Sequence, residues 1–256
     1  NYNSMQIEFR QQYWHGLQFN ANYTYGKSLG ATLGNDWTGA YTRYTLRNLR
    51  ESYGPTSADI RHMANIIGSA DLPFGSGRMF FNQKGLLDRI IGGWTVGTIM
   101  TFRSGSVGRV TGGYMTFNNL ADGGVNLNGI TREDLQNAVG VYKTGLNVVQ
   151  MVDPKYRTMG VGANTAYITA NTTPGMYVGA FYIYGPHSFE CDMSLNKSVA
   201  VTERFRFTFQ AQFLNAFNHP IFRGTLGGGV RGSGWGQVTG ASNSPRVIEF
   251  RLNIFY

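Results

Sequence analysis

Arg204-Phe205-Arg206-Phe207-Thr208-Phe209-Gln210-Ala211-Gln212-Phe213 is the stretch that decides the fold. Phe205, Phe207, Phe209, Ala211 and Phe213 take every second position, with Arg204, Arg206, Thr208, Gln210 and Gln212 between them. Successive side chains of a strand point to opposite faces, so this period of two describes a strand with one dry and one wet face. The same pattern recurs on both sides of it. Upstream, Met5, Ile7, Phe9 and Tyr13 alternate with Gln6, Glu8, Arg10 and Gln12, and Leu17, Phe19, Ala21, Tyr23 and Tyr25 with Gln18, Asn20, Asn22 and Thr24. Ile60, Ala64, Ile66, Ala70 and Leu72 oppose Arg61, Asn65, Ser69 and Asp71; Trp94, Val96, Met100 and Phe102 oppose Thr95, Thr101 and Arg103. Phe189, Cys191, Met193 and Leu195 oppose Glu190, Asp192, Ser194 and Asn196. Downstream, Ile248, Phe250, Leu252, Ile254 and Tyr256 oppose Glu249, Arg251 and Asn253.

Alternation alone also suits a soluble sandwich whose dry face turns inward. Two features favour a barrel in a bilayer. The runs last about 10 to 14 residues, where globular strands average about 5 to 6 and a tilted strand crossing a membrane needs roughly 9 to 11. The connections, in order, hold about 3, 30, 18, 80, 4 and 30 residues. In an up-and-down sheet every second connection falls on the same side, so the three long ones share one end, as in outer-membrane barrels. Composition agrees: 14% of residues are charged and 14% aromatic, with 35 glycines and one cysteine. That excludes a disulfide scaffold or a thiolate cluster within the chain and opposes disorder. No apolar run approaches the roughly 18 residues of a transmembrane helix.

Several stretches resemble one family. Arg206 to Phe222, which contains Phe213-Leu214-Asn215-Ala216-Phe217-Asn218-His219-Pro220, is similar to the penultimate strand and following loop of TonB-dependent receptors of the Oar-like, carboxypeptidase-regulatory-domain type, abundant in Acidobacteria. Thr24-Tyr25-Gly26-Lys27-Ser28-Leu29, Asp59-Ile60-Arg61-His62, Leu72-Pro73-Phe74-Gly75, Gly92-Gly93-Trp94 and Thr131 to Gly140 resemble it too, in the family's order. The resemblance implies the C-terminal part of a roughly 22-stranded, plugged barrel that takes up a large ligand. The alternating end Leu252-Asn253-Ile254-Phe255-Tyr256 resembles the signal read by the barrel-assembly machinery. This chain carries no counterpart of the plug or the energy-coupling box.

Candidate chemistry is sparse. His15, His62, His187 and His219 show no metal spacing and read as surface residues. Cys191 reads as a packed or lipid-facing apolar residue. Gly227-x-Gly229-x-x-Gly232 imitates a dinucleotide fingerprint but opens no helix and reads as a mobile glycine-rich loop. Glu8, Asp71, Glu190, Asp192 and Glu249 are expected to pair across neighbouring strands with Arg10, Arg61, Arg204, Arg206 and Arg251. Tyr13, Trp14, Tyr25, Trp94 and Tyr256 read as an aromatic girdle. The charge of +8 is spread singly, without the cluster a nucleic-acid surface needs. In the longest connection, Thr131 caps a helix with Asp134 at its third position and Gly140 at its end.

The expectation is therefore an all-β, antiparallel up-and-down transmembrane-type barrel of about seven or eight strands, with Met176–Tyr184 as the candidate eighth, or a segment of a larger barrel. It is a single barrel unit over 1–256 with a loop or cap insertion at 104–186, where recognition would reside together with Gly224–Gly240. No catalytic, cofactor or metal residues are expected, and no enzyme activity. The expected partners are outer-membrane lipid and the assembly machinery, the expected place the outer membrane of a Gram-negative bacterium with long loops outside. The alternative is a structural subunit of an extracellular tube or filament that self-associates through strand edges or loops.

Overall fold

A computed structural model describes residues 1–30, 50, 53–82, 85–117, 121–145, 148–179, 181–202, 204–222, 226 and 228–256. Seven long strands form its main sheet: β1 (Tyr2–Trp14), β2 (Leu17–Gly30), β3 (His62–Asp71), β4 (Trp94–Arg103), β5 (Ser188–Ala200), β6 (Arg206–Leu214) and β7 (Val247–Phe255). They lie side by side in chain order, all antiparallel. The two-residue strand Gly54–Pro55 adds to the end of β2.

The register converts alternation into two chemically distinct faces. Leu17, Ala70, Val96, Leu195, Ala211 and Phe250 stand opposite one another across six strands. Their sequence neighbours Gln18, Ser69, Gly97, Ser194, Gln212 and Glu249 make the matching row on the other face. A slip of one residue would invert all of this. Much of the apolar face is bare: Met5, Ile7, Phe9, Leu252 and Ile254, on the two outermost strands, all stay more than half exposed, and Phe250 is 71% exposed.

The β1–β2 hairpin turns on His15-Gly16, both at positive φ (50° and 86°), the arrangement whose twist matches the strands it joins. Just before it, β1 bulges: Gln11 faces Phe19 but Trp14 faces Leu17, three steps against two. The extra residue moves Tyr13 to the polar face, where its hydroxyl donates to Asp71 at 2.6 Å, and puts Trp14 on the apolar face. Tyr13 was expected among the apolar alternation; the bulge is why it is not.

The hairpin turn, the 72–93 connection with α1 (Leu86–Ile91) and the 201–205 turn occupy one end of the sheet. The described parts of the connections at 31–61, 104–187 and 215–246 lie at the other. Among the described residues, the core cluster of buried apolar side chains is drawn from those last two. Val110, Leu135, Met151, Val152, Ile168, Phe181 and Ile183 from 104–187 pack with Leu226, Val230 and Trp235 from 215–246 to form a cap. The expected eighth strand belongs to this cap: Phe181–Tyr184 pairs with Val107–Thr111 and leaves the main sheet at seven long strands. Its alternating Phe181 and Ile183 fill the cap core, so they satisfy the same period with a different partner.

Helix α2 (Arg132–Asn137) starts as expected: Asp134 N donates to Thr131 Oγ1 and the Asp134 carboxylate accepts from Thr131 N, a reciprocal capping box. It ends earlier than expected, at Asn137, because Val139 already pairs with Val152, and Gly140 lies within that strand (Val139–Lys143). The glycine-rich loop is likewise built in. Gly227 lies outside the described residues, but Gly228–Gly229 pairs with Val110 and Thr111. Val230 and Trp235 are buried, and Trp235 Nε1 donates to Leu226 O at 3.1 Å. These contacts tie the described part of the segment into the cap rather than leaving it as a free glycine-rich loop.

Candidate functional site

The polar face of the sheet, the cap interior and the junction between them gather the side chains with chemistry. On the polar face, Glu8 accepts from Arg10 at 3.0 Å and from Asn20 at 2.9 Å. Asp71 accepts from Tyr13, from Thr95 at 2.9 Å and from Arg78 at 2.9 Å. Asp192 accepts from Asn215 N at 2.8 Å. The described residues form three ion pairs, Arg10–Glu8, Arg61–Asp59 and Arg78–Asp71, and none joins neighbouring strands. This corrects the expectation of cross-strand carboxylate–arginine pairs. Register explains it: Glu8 faces Asn22, Glu190 faces Thr101, Glu249 faces Gln212 and Arg251 faces Gln210, so amides and hydroxyls stand where opposite charges were expected. Ile67 and Ile99, directly opposite each other, make an apolar spot on this face beside Asp192 and Gln212, in a recess of about 260 Å³. Alternation assigns polar residues to these positions, so the period alone does not reveal the two isoleucines.

At the junction, the fully buried Asp59 carboxylate accepts from Ser28 N at 2.7 Å and from the Tyr184 hydroxyl at 2.6 Å. Arg61 stands 3.5 Å from Asp59 and donates to the Tyr184 hydroxyl at 3.3 Å. Gln136 of α2 brackets the Tyr184 backbone with one bond in each direction. The cluster ties β2, the approach to β3, α2 and the cap into one body. Burial first, and then the bond to Asp59, raise the Tyr184 pKa above the ordinary phenol value. The bond to Tyr184 likewise raises that of Arg61.

Beside the cluster, a pocket of about 130 Å³ is lined by Arg103, Ser104, Ser106 and Ser188 together with Met151 and Phe222. Arg103 Nε is buried and has no hydrogen-bond partner among the described residues. Inside the cap, Arg157 donates to the carbonyls of Trp235, at 2.8 Å, and Ser233, and burial lowers its pKa. Asp122 collects the backbone N–H groups of Gly112, Gly113, Tyr114 and Gly124. Both arrangements hold loops together.

Each histidine lies against an aromatic ring at an end of the apolar face. His15 sits on Trp14 at 4.3 Å, His62 on Tyr25 at 5.2 Å, His187 on Phe102 at 5.8 Å and His219 on Phe189 at 6.4 Å. Cys191 is buried with Sγ 3.7 Å from Thr98 Oγ1, as a small packed residue. Of the expected girdle, Trp14, Trp94 and Tyr256 stand at the tight-turn end and Tyr25 at the other. One residue of the apolar face was not anticipated. Lys197, opposite Trp94 and Phe209, is buried, donates to Ile90 O and Gly92 O at 2.7 Å each, and lies 4.9 Å from the Trp94 ring. A lysine continuing the Phe189, Cys191, Met193, Leu195 alternation was the signal available in the sequence.

The model of one protein family, the outer membrane beta barrel domain, matches residues 1–249. The chain belongs to that family. Its exposed apolar face is the surface such a domain turns to lipid, and the protein is placed in the outer membrane. The dimensions agree. Ten residues of β4 at about 3.4 Å each, tilted by about 40°, rise about 26 Å against an apolar band of about 25 Å. No helix of the described residues is long and apolar enough to cross a membrane; in this family strands cross. Comparison with curated proteins and with solved structures yields no match.

Proposed function

We propose that this barrel domain is a section of the wall of a larger outer-membrane receptor of the TonB-dependent, Oar-like type, which takes up a large ligand. The observation that carries this reading is the pair of outer edges: among the described residues β1 pairs only with β2 along its length and β7 only with β6. Bare backbone N–H and C=O groups in hydrocarbon cost several kcal/mol each, so a bilayer tolerates no open edge. Further strands must join both sides. The resemblance of Arg206–Phe222 and the other motifs to the receptor family supports assigning those strands to a receptor barrel. In this arrangement the tight turns lie in the periplasm and the cap lies outside the cell, where it meets the ligand. The Arg103 pocket and the Ile67–Ile99 recess open along the route inward. β7, ending beside Tyr256, is the strand offered to the assembly machinery.

The native gene product tests this directly. Antibody raised against the cap should detect a polypeptide several times the mass of the 28.3 kDa chain, soluble only in detergent and heat-modifiable on gels. A native product of this chain's own mass that sediments as regular polymers without detergent would replace the receptor with a filament subunit, whose open edges pair with neighbouring copies.

A further inference from the structure

The 72–93 connection holds a concentration of exposed apolar side chains that neither the wall nor the cap explains. Met79 is 80% exposed, Leu86 78%, and Phe81 and Ile90 67% each, with Phe80 half exposed beside them. Its described residues are folded nevertheless. Asp88 of α1 accepts from Ser76 N at 2.5 Å, and Gly75 and Phe80 exchange backbone bonds with their neighbours in the turn. Phe74 lies against Phe80 and Phe81 at 5.8 and 6.3 Å. Five large apolar side chains held outward by an ordered turn are an interaction surface.

Its position identifies what covers it. Ile90 O, at the last turn of α1, accepts from both Lys197 Nζ and Trp94 Nε1, and Gly92 O from Lys197 Nζ. Lys197 and Trp94 are opposite each other on the apolar face. The C-terminal end of α1 is therefore pinned to the lipid side of the sheet, at the level where Trp14 also stands. A buried lysine on a lipid-facing surface would be costly if bare. Here the carbonyls at the helix end and the Trp94 ring take its charge. We infer that the 72–93 connection is a membrane-interface anchor: Met79, Phe80, Phe81, Leu86 and Ile90 insert at the headgroup–acyl boundary of the leaflet at the tight-turn end and continue the barrel's lipid-contacting surface sideways. Arg89, exposed on the same helix, lies within reach of lipid phosphates. The inference rests on membership of the outer-membrane barrel family alone and holds whether or not the protein is a receptor.

Depth-dependent quenching tests it. The complete native protein, carrying Cys191→Ser and a single Phe81→Cys, Leu86→Cys or Ile90→Cys labelled with an environment-sensitive fluorophore, is placed in phosphatidylethanolamine–phosphatidylglycerol vesicles. Met159→Cys, on an exposed cap position, is the aqueous control, and heat-modifiable mobility confirms folding of each variant. Labels at 81, 86 and 90 should emit blue-shifted light, be quenched by lipids spin-labelled near the headgroup, and resist iodide several-fold better than the label at 159. Iodide quenching equal to that at 159 overturns the inference. So does protection from both quenchers, which would mean that another protein covers the surface.

Discussion

Phe9, Phe250 and Leu252 of the sheet and Leu135, Ile183 and Trp235 of the cap are equally apolar, yet the first three are 58%, 71% and 60% exposed and the last three 0%, 0% and 3%. The sheet arranges its apolar residues in one plane, every second position, and relies on a solvent outside the protein to cover them. The cap draws short segments from two connections around a common centre and covers its own. The difference shows that hydrophobic content does not say where a core lies. The period does: a sustained period of two over nine or more residues spreads apolar groups over a surface, whereas strands of two to five residues can only converge on a point. One chain thus holds a wall stabilised by the bilayer and a water-facing body stabilised by itself.

Substitutions at the two centres should therefore behave oppositely. Leu135→Ala removes a fully buried side chain from the cap core and should destabilise the cap by about 2–5 kcal/mol. In thermal melts the cap's near-ultraviolet signal should fall at lower temperature while detergent-resistant mobility of the barrel persists. Equal loss of both signals would show that the two regions fold as one unit. Ile66→Arg, at the middle of the lipid-facing surface, should cost about 2–4 kcal/mol in urea titrations from vesicles. Asn65→Arg, one residue away on the polar face, should change stability by under about 0.5 kcal/mol. If the two arginines cost the same, the assignment of faces is wrong.

The Asp59–Tyr184 cluster sets how firmly the regions are joined. Tyr184→Phe deprives the buried carboxylate of a donor and should loosen the junction by about 1–3 kcal/mol. The sign of the accompanying pH effect follows from burial, which favours the neutral phenol and raises the Tyr184 pKa. Its contribution is complete below the unfolded tyrosine value of about 10 and is lost as pH rises through the higher folded value. Hydrogen exchange at the cap base should therefore accelerate at alkaline pH in the native protein, with a smaller change in Tyr184→Phe. The opposite trend would remove the cluster from the junction's energetics.

The wall was legible in the sequence because its rule is local. Seven strands, their two faces and the shared end of the long connections all follow from positions i and i+2 and from counting. Where a single residue breaks the rule, reading failed: the extra residue in β1 turned Tyr13 inward, and Ile67 and Ile99 sit on the polar face. The cap was less legible, since strands such as Gly162–Ala163 or Gln237–Val238 are too short to display a period. Phe181–Tyr184 shows alternation but answers to the cap core. The junction cluster was beyond local reading, because Asp59 and Tyr184 lie 125 residues apart. Gly224–Gly240 is expected to take part in recognition as a long connection; among its described residues, Val230 and Trp235 are buried in the cap core.

The smallest test asks how far the cap's independence extends. Thr131 caps α2 and Asp134 returns the bond to Thr131 N, so Thr131→Ala should weaken the cap by about 1 kcal/mol. The Thr131 backbone N–H first, and its hydroxyl second, hold the Asp134 pKa below the ordinary carboxylate range. A depressed carboxylate contributes above its unfolded value of about 3.9, and the contribution disappears as pH falls through the folded one. The melting difference between native protein and Thr131→Ala should thus be largest near neutrality and shrink in acid. α2 also reaches the junction, through Gln136 on Tyr184. If its cap matters only to the cap core, β2–β3 exchange stays unchanged in Thr131→Ala. Faster exchange at Ser28, whose N–H is held by Asp59, would instead show that the six-residue helix α2 is the strut by which the self-covered region steadies the lipid-covered one.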